Sequence, residues 1–163
     1  VRVSVSTDIV ATYRGPGKVM RRLLTAGQRE DRALAILMAG CLLMFVSSLP
    51  RLAREQFEQG GDLTQMLTYE FVSWMLFWPL LFYIFAGLIH VVTRPFTKLG
   101  TFFTTRLAVF WSFFAATPLA LLNGLTAGFV GEGQALVAVG VLWLGMFLWF
   151  FIGSLRATFQ VPS

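Results

Sequence analysis

Four long apolar runs, each bounded by polar or turn-forming residues, dominate the chain. The first covers 33–49 and stops at Pro50; as a helix it would be about 26 Å long, at the short end for a bilayer span. The second covers 66–93 and is opened by Asp62 and Gln65, which have the spacing of a capping box. It would reach about 42 Å, so it must tilt, kink or project, and Pro79 near its middle supplies a cause for a kink. The third covers 107–130, with Pro118 inside it, and the fourth covers 134–155, stopped by Arg156. Between these two, Gly131-Glu132-Gly133 is too short for anything but an antiparallel helical hairpin, so the third and fourth helices are neighbours.

Residues 1–32 are basic and mixed. Ser6-Thr7-Asp8 can cap a short helix through Tyr13, and Pro16 suits the first turn of another that carries Val19, Met20, Leu23 and Leu24. Lys18, Arg21 and Arg22 flank that apolar strip, so the segment is expected to lie on the membrane surface, apolar side down, with its cations at anionic headgroups. The alternative is a disordered basic tail. A signal peptide competes for the first apolar run. The basic stretch before it is too long, and Ser47-Ser48-Leu49-Pro50 lacks a small-residue cleavage pattern, so the run is read as an uncleaved first helix. The expected fold is therefore all-α: a polytopic membrane protein of four transmembrane helices over 33–156, an amphipathic N-terminal segment over 1–32 and a tail over 157–163.

Composition agrees with that pattern. Apolar residues make up 56% of the 163 residues and charged residues 13%, against about 45–50% and about 25% in soluble domains. A soluble domain of this size has too much surface to hide so many apolar side chains. The net charge of +5 would raise nucleic acid as a partner, but the cations flank the apolar runs, where headgroups and insertion topology explain them better. Arg2, Arg14, Lys18, Arg21, Arg22, Arg29, Arg32, Arg94, Lys98, Arg106 and Arg156 fall on one side of the expected topology, and only Arg51 and Arg54 on the other. The positive-inside rule makes the first side cytoplasmic, with both termini on it.

Lipid removes the hydrophobic drive between helices, so small residues that admit a close backbone take over. In the third helix Ala108, Ser112, Ala116, Ala120, Gly124 and Gly128 recur every four residues, with Ala39, Gly40, Gly140 and Gly145 as partial partners on other helices. The stripe faces either another helix of the chain or a neighbouring protein.

Reactive chemistry is sparse. Cys41 is the single cysteine and His90 the single histidine, so neither a disulfide, a thiolate metal site nor a bis-histidine haem can be built within the chain. Glu70 is expected near the start of the second helix, where its charge suits the helix dipole. His90 is expected to make an ordinary interfacial hydrogen bond. Asn123, with Thr117 and Pro118 a turn or two earlier, is the polar feature at depth; a proline frees a backbone carbonyl that nearby polar groups can satisfy. No phosphate loop, nucleophile elbow or carboxylate dyad is present, and neither a cofactor nor enzymatic activity is expected.

The pattern Leu81-Phe82-Tyr83, Leu88-Ile89-His90, a short basic loop with Gly100-Thr101, then Arg106-Leu107-Ala108-Val109 and Pro118 resembles bacterial members of the YIP1 family. The chain lacks the Asp-Leu-Tyr-Gly-Pro motif of the eukaryotic members, so their engagement of Rab GTPases does not carry over. The resemblance implies a bacterial inner-membrane protein and places no functional residue. Three roles follow from the sequence: an accessory, scaffold or assembly subunit acting through helix packing; a small transporter or channel around Pro79, Pro118, Asn123 and Glu70; or a surface module recruiting anionic lipid or a soluble partner.

Overall fold

The computed structural model describes residues 4–94 and 101–159, and their regular structure is entirely helical. Two short helices, α1 (Val5–Arg14) and α2 (Pro16–Thr25), precede four long ones: α3 (Glu30–Gln59), α4 (Leu63–Thr93), α5 (Phe102–Phe129) and α6 (Gln134–Thr158). Each of the four is long and apolar enough to cross a membrane. Arg2, Lys98 and Gly100 lie outside the described residues, as does the tail beyond 159.

α5 is the hub. It packs against α3, α4 and α6, and every residue from 107 to 117 is buried, as expected of a helix that is covered all round. Arg106 reaches Glu30 at one end of the bundle, and Arg54 reaches the Gly128 carbonyl at the other, so α3 and α5 run parallel. α4 and α6 run opposite to them. Phe82 meets Phe113 at 4.3 Å between ring centres, and Tyr83 meets Phe110 at 5.0 Å, fixing α4 to the hub.

The ends of these helices differ from the runs that predict them. α3 passes straight through Pro50 and stops at Gly60, whose φ of +75° suits glycine. Proline removes only one backbone hydrogen bond here, and the turns that follow carry Arg51–Glu55 and Arg54–Glu58 pairs at i,i+4 spacing. At the start of α4 the expected capping box between Asp62 and Gln65 does not form, and a simpler cap takes its place. Asp62 accepts from the Thr64 N–H at 2.9 Å, while the Gln65 amide turns to the Tyr69 hydroxyl. The distortion expected at Pro79 is a π-helical turn at Ser73–Phe77, just ahead of the proline. Pro79 has no N–H for the Met75 carbonyl, and the widened turn makes room for its ring.

α5 begins five residues before the expected start, because Thr101 and Thr104 cap each other. The Thr101 hydroxyl accepts from the Thr104 N–H, and the Thr104 hydroxyl accepts from the Thr101 N–H. The turn through Gly131, at φ +85°, joins α5 and α6 as the expected hairpin, and α6 continues past Arg156 to Thr158.

The N-terminal helices are part of the bundle. α1 starts at Val5 after Ser4, so Ser6-Thr7-Asp8 lies inside its first turn instead of ahead of it. The apolar strip of α2, expected to face lipid, faces protein: Val19 is 3% exposed, Met20 is fully buried and Leu23 joins the same core. Trp111 of α5 donates its indole N–H to the Thr12 hydroxyl of α1 at 3.1 Å, and Tyr13 meets the Phe150 ring edge-on at 4.8 Å.

Candidate functional site

The small-residue stripe winds around α5. Steps of four residues on a helix of 3.6 per turn drift by about 40° each, so six such positions cannot all face one neighbour. Ala108, Ser112, Ala116 and Ala120 are buried, and the Ser112 hydroxyl, donating to the Ala108 carbonyl, lies 3.4 Å from that of Ser154 on α6. Gly124 and Gly128 have rotated on to α3, where an added methyl would overlap the Ser47 carbonyl and Pro50 respectively. The stripe therefore faces two helices of its own chain. Among its expected partners, a methyl added at Gly40 would crowd the Phe113 ring at 2.9 Å and one at Gly140 would meet the Asn123 amide nitrogen at 3.4 Å, while Gly145 faces open space. Sequence reasoning missed one close approach. Gly17 of α2 lies against the Gly153 carbonyl of α6, and Gly153 lies against Pro16; the signal was Gly153 one turn before Ala157, opposite a Gly-Pro-Gly segment.

Glu70 does not cap α4. The helix begins at Leu63 and Asp62 caps it, which leaves Glu70 about two turns inside. Its carboxylate accepts from Arg51 Nη2 and from Trp74 Nε1, both at 3.2 Å, and so joins α4 to α3. His90 Nδ1 lies 3.4 Å from the Thr105 hydroxyl, and its ring meets Phe102 edge-on, which fastens the last turns of α4 to the first turn of α5. The Thr117 hydroxyl donates to the Phe114 carbonyl at 2.7 Å, the acceptor that Pro118, four residues on, leaves free. Asn123 turns towards Gly140 of α6 and takes no part in that repair.

The three expected headgroup cations divide. Arg22 forms an ion pair with Asp8 of α1, Lys18 is exposed, and the Arg21 guanidinium lies beside Gly17. Burial pushes the Tyr13 phenol above its usual pKa, and its hydroxyl has no hydrogen-bond partner among the described residues.

Three hollows are prominent. One of about 340 Å³ lies between α1 and α2 beside Arg14, Lys18 and Arg22. A second, of about 470 Å³, lies at the opposite end between the α3 terminus and the α5–α6 turn, beside Arg51, Arg54, Glu55, Glu58 and Glu132. The third is a groove of about 430 Å³ on the flank of the bundle, floored by Phe113 and walled by Trp78, Phe82 and Phe85 of α4 and by Trp143 and Phe147 of α6. Its exposed walls are wholly apolar. Among the described residues no group of three His, Cys, Asp or Glu could hold a metal ion. No family model matches the chain, and neither a curated protein nor a solved structure matches it significantly.

Proposed function

We propose that this chain is a multi-pass protein of a bacterial inner membrane, with both termini in the cytoplasm, that works without catalysis as an accessory, scaffold or assembly subunit. The observation that carries the reading is how unevenly the four long helices are covered. In the most apolar stretch of α5, 67% of residues are buried inside the protein, against 11% in α4 and 6% in α6. The hub is complete within the chain, while the aromatic-rich flank of α4 and α6 is left for lipid and for the apolar helices of another membrane protein. Topology follows from the clustering of basic residues on one side. A YIP1-like role of this kind agrees with the sequence resemblance.

Transport is the weaker reading. It needs polar groups open to a path at mid-depth, and Ser112 and Thr117 instead donate their hydroxyls to carbonyls of their own helix. Extraction in a mild detergent followed by native mass spectrometry tests the assembly role. A defined larger complex is expected; recovery as a clean monomer would overturn it.

A further inference from the structure

We propose that the groove between α1 and α2 binds the anionic headgroup of a membrane phospholipid, held by Arg14 and Lys18. The inference rests on the membrane placement above and goes beyond the assembly role. The groove is lined by three cations, but they are not equivalent. Arg22 is already neutralised by Asp8. Arg14 and Lys18, one turn apart across the Gly15 junction of the two helices, are exposed and form no ion pair among the described residues. Two uncompensated positive charges at the mouth of one hollow attract an anion.

The rest of the lining narrows the class of anion. Val10 stands 59% exposed on the α1 side, and the side chain of Val19 forms the floor. A free phosphate has no use for apolar walls, whereas a phospholipid places its glycerol backbone and first methylenes beside its phosphate. The position suits the same ligand. α2 lies on the last turns of α6, with Gly17 close to the Gly153 carbonyl and to Ala157. A helix the length of α6 spans about 37 Å and emerges from a hydrocarbon core of about 30 Å near such turns. The groove is therefore at headgroup level, and Arg14 replaces Arg21 and Arg22 as the partner of Lys18.

The test uses the full chain in detergent, titrated with dioctanoyl phosphatidylglycerol or dioctanoyl phosphatidylcholine and read by native mass spectrometry. Wild type is expected to retain the anionic lipid preferentially. Arg14→Gln with Lys18→Gln should lower that preference roughly thirtyfold, at about a kilocalorie per cation. Arg94→Gln with Arg156→Gln removes the same charge from the same side and should leave the preference intact. Equal loss in both double variants, or no preference in wild type, would overturn the site. On wild type, glycerol 3-phosphate at the lipid's concentration should displace nothing; full displacement would make this a phosphate site and overturn the lipid assignment. Any of these failures leaves the assembly role to its own test.

Discussion

The backbone of α5 at Gly124 lies against the Ser47 carbonyl of α3 so closely that a methyl group at 124 would overlap it. The obstacle is backbone, which cannot swing aside as a long side chain can. Gly124→Ala is therefore expected to destabilise the protein by about 3 kcal/mol, the upper end of the overpacking range. Gly145→Ala adds its methyl in open space, and there the better helix propensity of alanine should leave stability unchanged or raise it by up to about 1 kcal/mol. Unfolding midpoints in a mixed-micelle titration compare the two. Equal loss at both positions would contradict the packing described.

Thr117 and Pro118 should behave as a coupled pair. Thr117→Val leaves the Phe114 carbonyl without its donor, at a cost of about 1–3 kcal/mol. Pro118 is exposed, so Pro118→Ala opens no cavity and restores a backbone N–H to the same carbonyl. In the Pro118→Ala background most of the Thr117→Val penalty should vanish. An additive double-mutant cycle would show that the hydroxyl is not repairing the proline gap.

Glu70 and Arg51 should also couple, because their contact crosses from α4 to α3. The pair is partly exposed, so a coupling of about 0.5–1 kcal/mol is expected between Glu70→Gln and Arg51→Gln. Asp62→Ala, which unlike asparagine offers no acceptor, tests the other role separately. It should weaken the start of α4, seen as faster amide exchange at 64–66, whereas Glu70→Gln should leave that exchange unchanged.

Tyr13 predicts a pH dependence. Its phenol pKa is raised in the folded protein by burial, so the unfolded chain loses this proton first. The neutral phenol's contribution is fully present below the unfolded value of about 10 and is lost as pH rises through the folded one. Tyr13→Phe keeps the ring against Phe150, removes the unpartnered hydroxyl, and should flatten the alkaline decline above about pH 10. Parallel declines in the two proteins would place the alkaline sensitivity elsewhere.

The existence of four long helices, the α5–α6 turn and the helix starting at Pro16 are legible from hydropathy and turn residues, because these depend on local chemistry. Pro50 misleads, since what carries the helix past it is a set of side-chain pairs in the next turns and the approach of Gly128. The stripe on α5 is visible in sequence, but its drift around the helix divides it between α6 and α3, which is a tertiary fact. Likewise the amphipathic strip of α2 reads as a lipid face by periodicity alone. Periodicity marks an apolar side without saying what covers it, and here Val19, Met20 and Leu23 meet the bundle. Glu70 is assigned to the wrong job for a simple reason: α4 begins earlier than its apolar run, at a cap that precedes Leu63.

The central functional claim is that the open flank of α4 and α6 meets another membrane protein. Site-specific photo-crosslinking in intact membranes tests it most directly. A benzophenone side chain at Leu81 or Ile84, both beside the apolar groove, is compared with one at Leu34, exposed on α3. The account predicts a protein adduct of discrete mass from positions 81 and 84 and none from 34. Adducts with lipid alone at all three positions would contradict it.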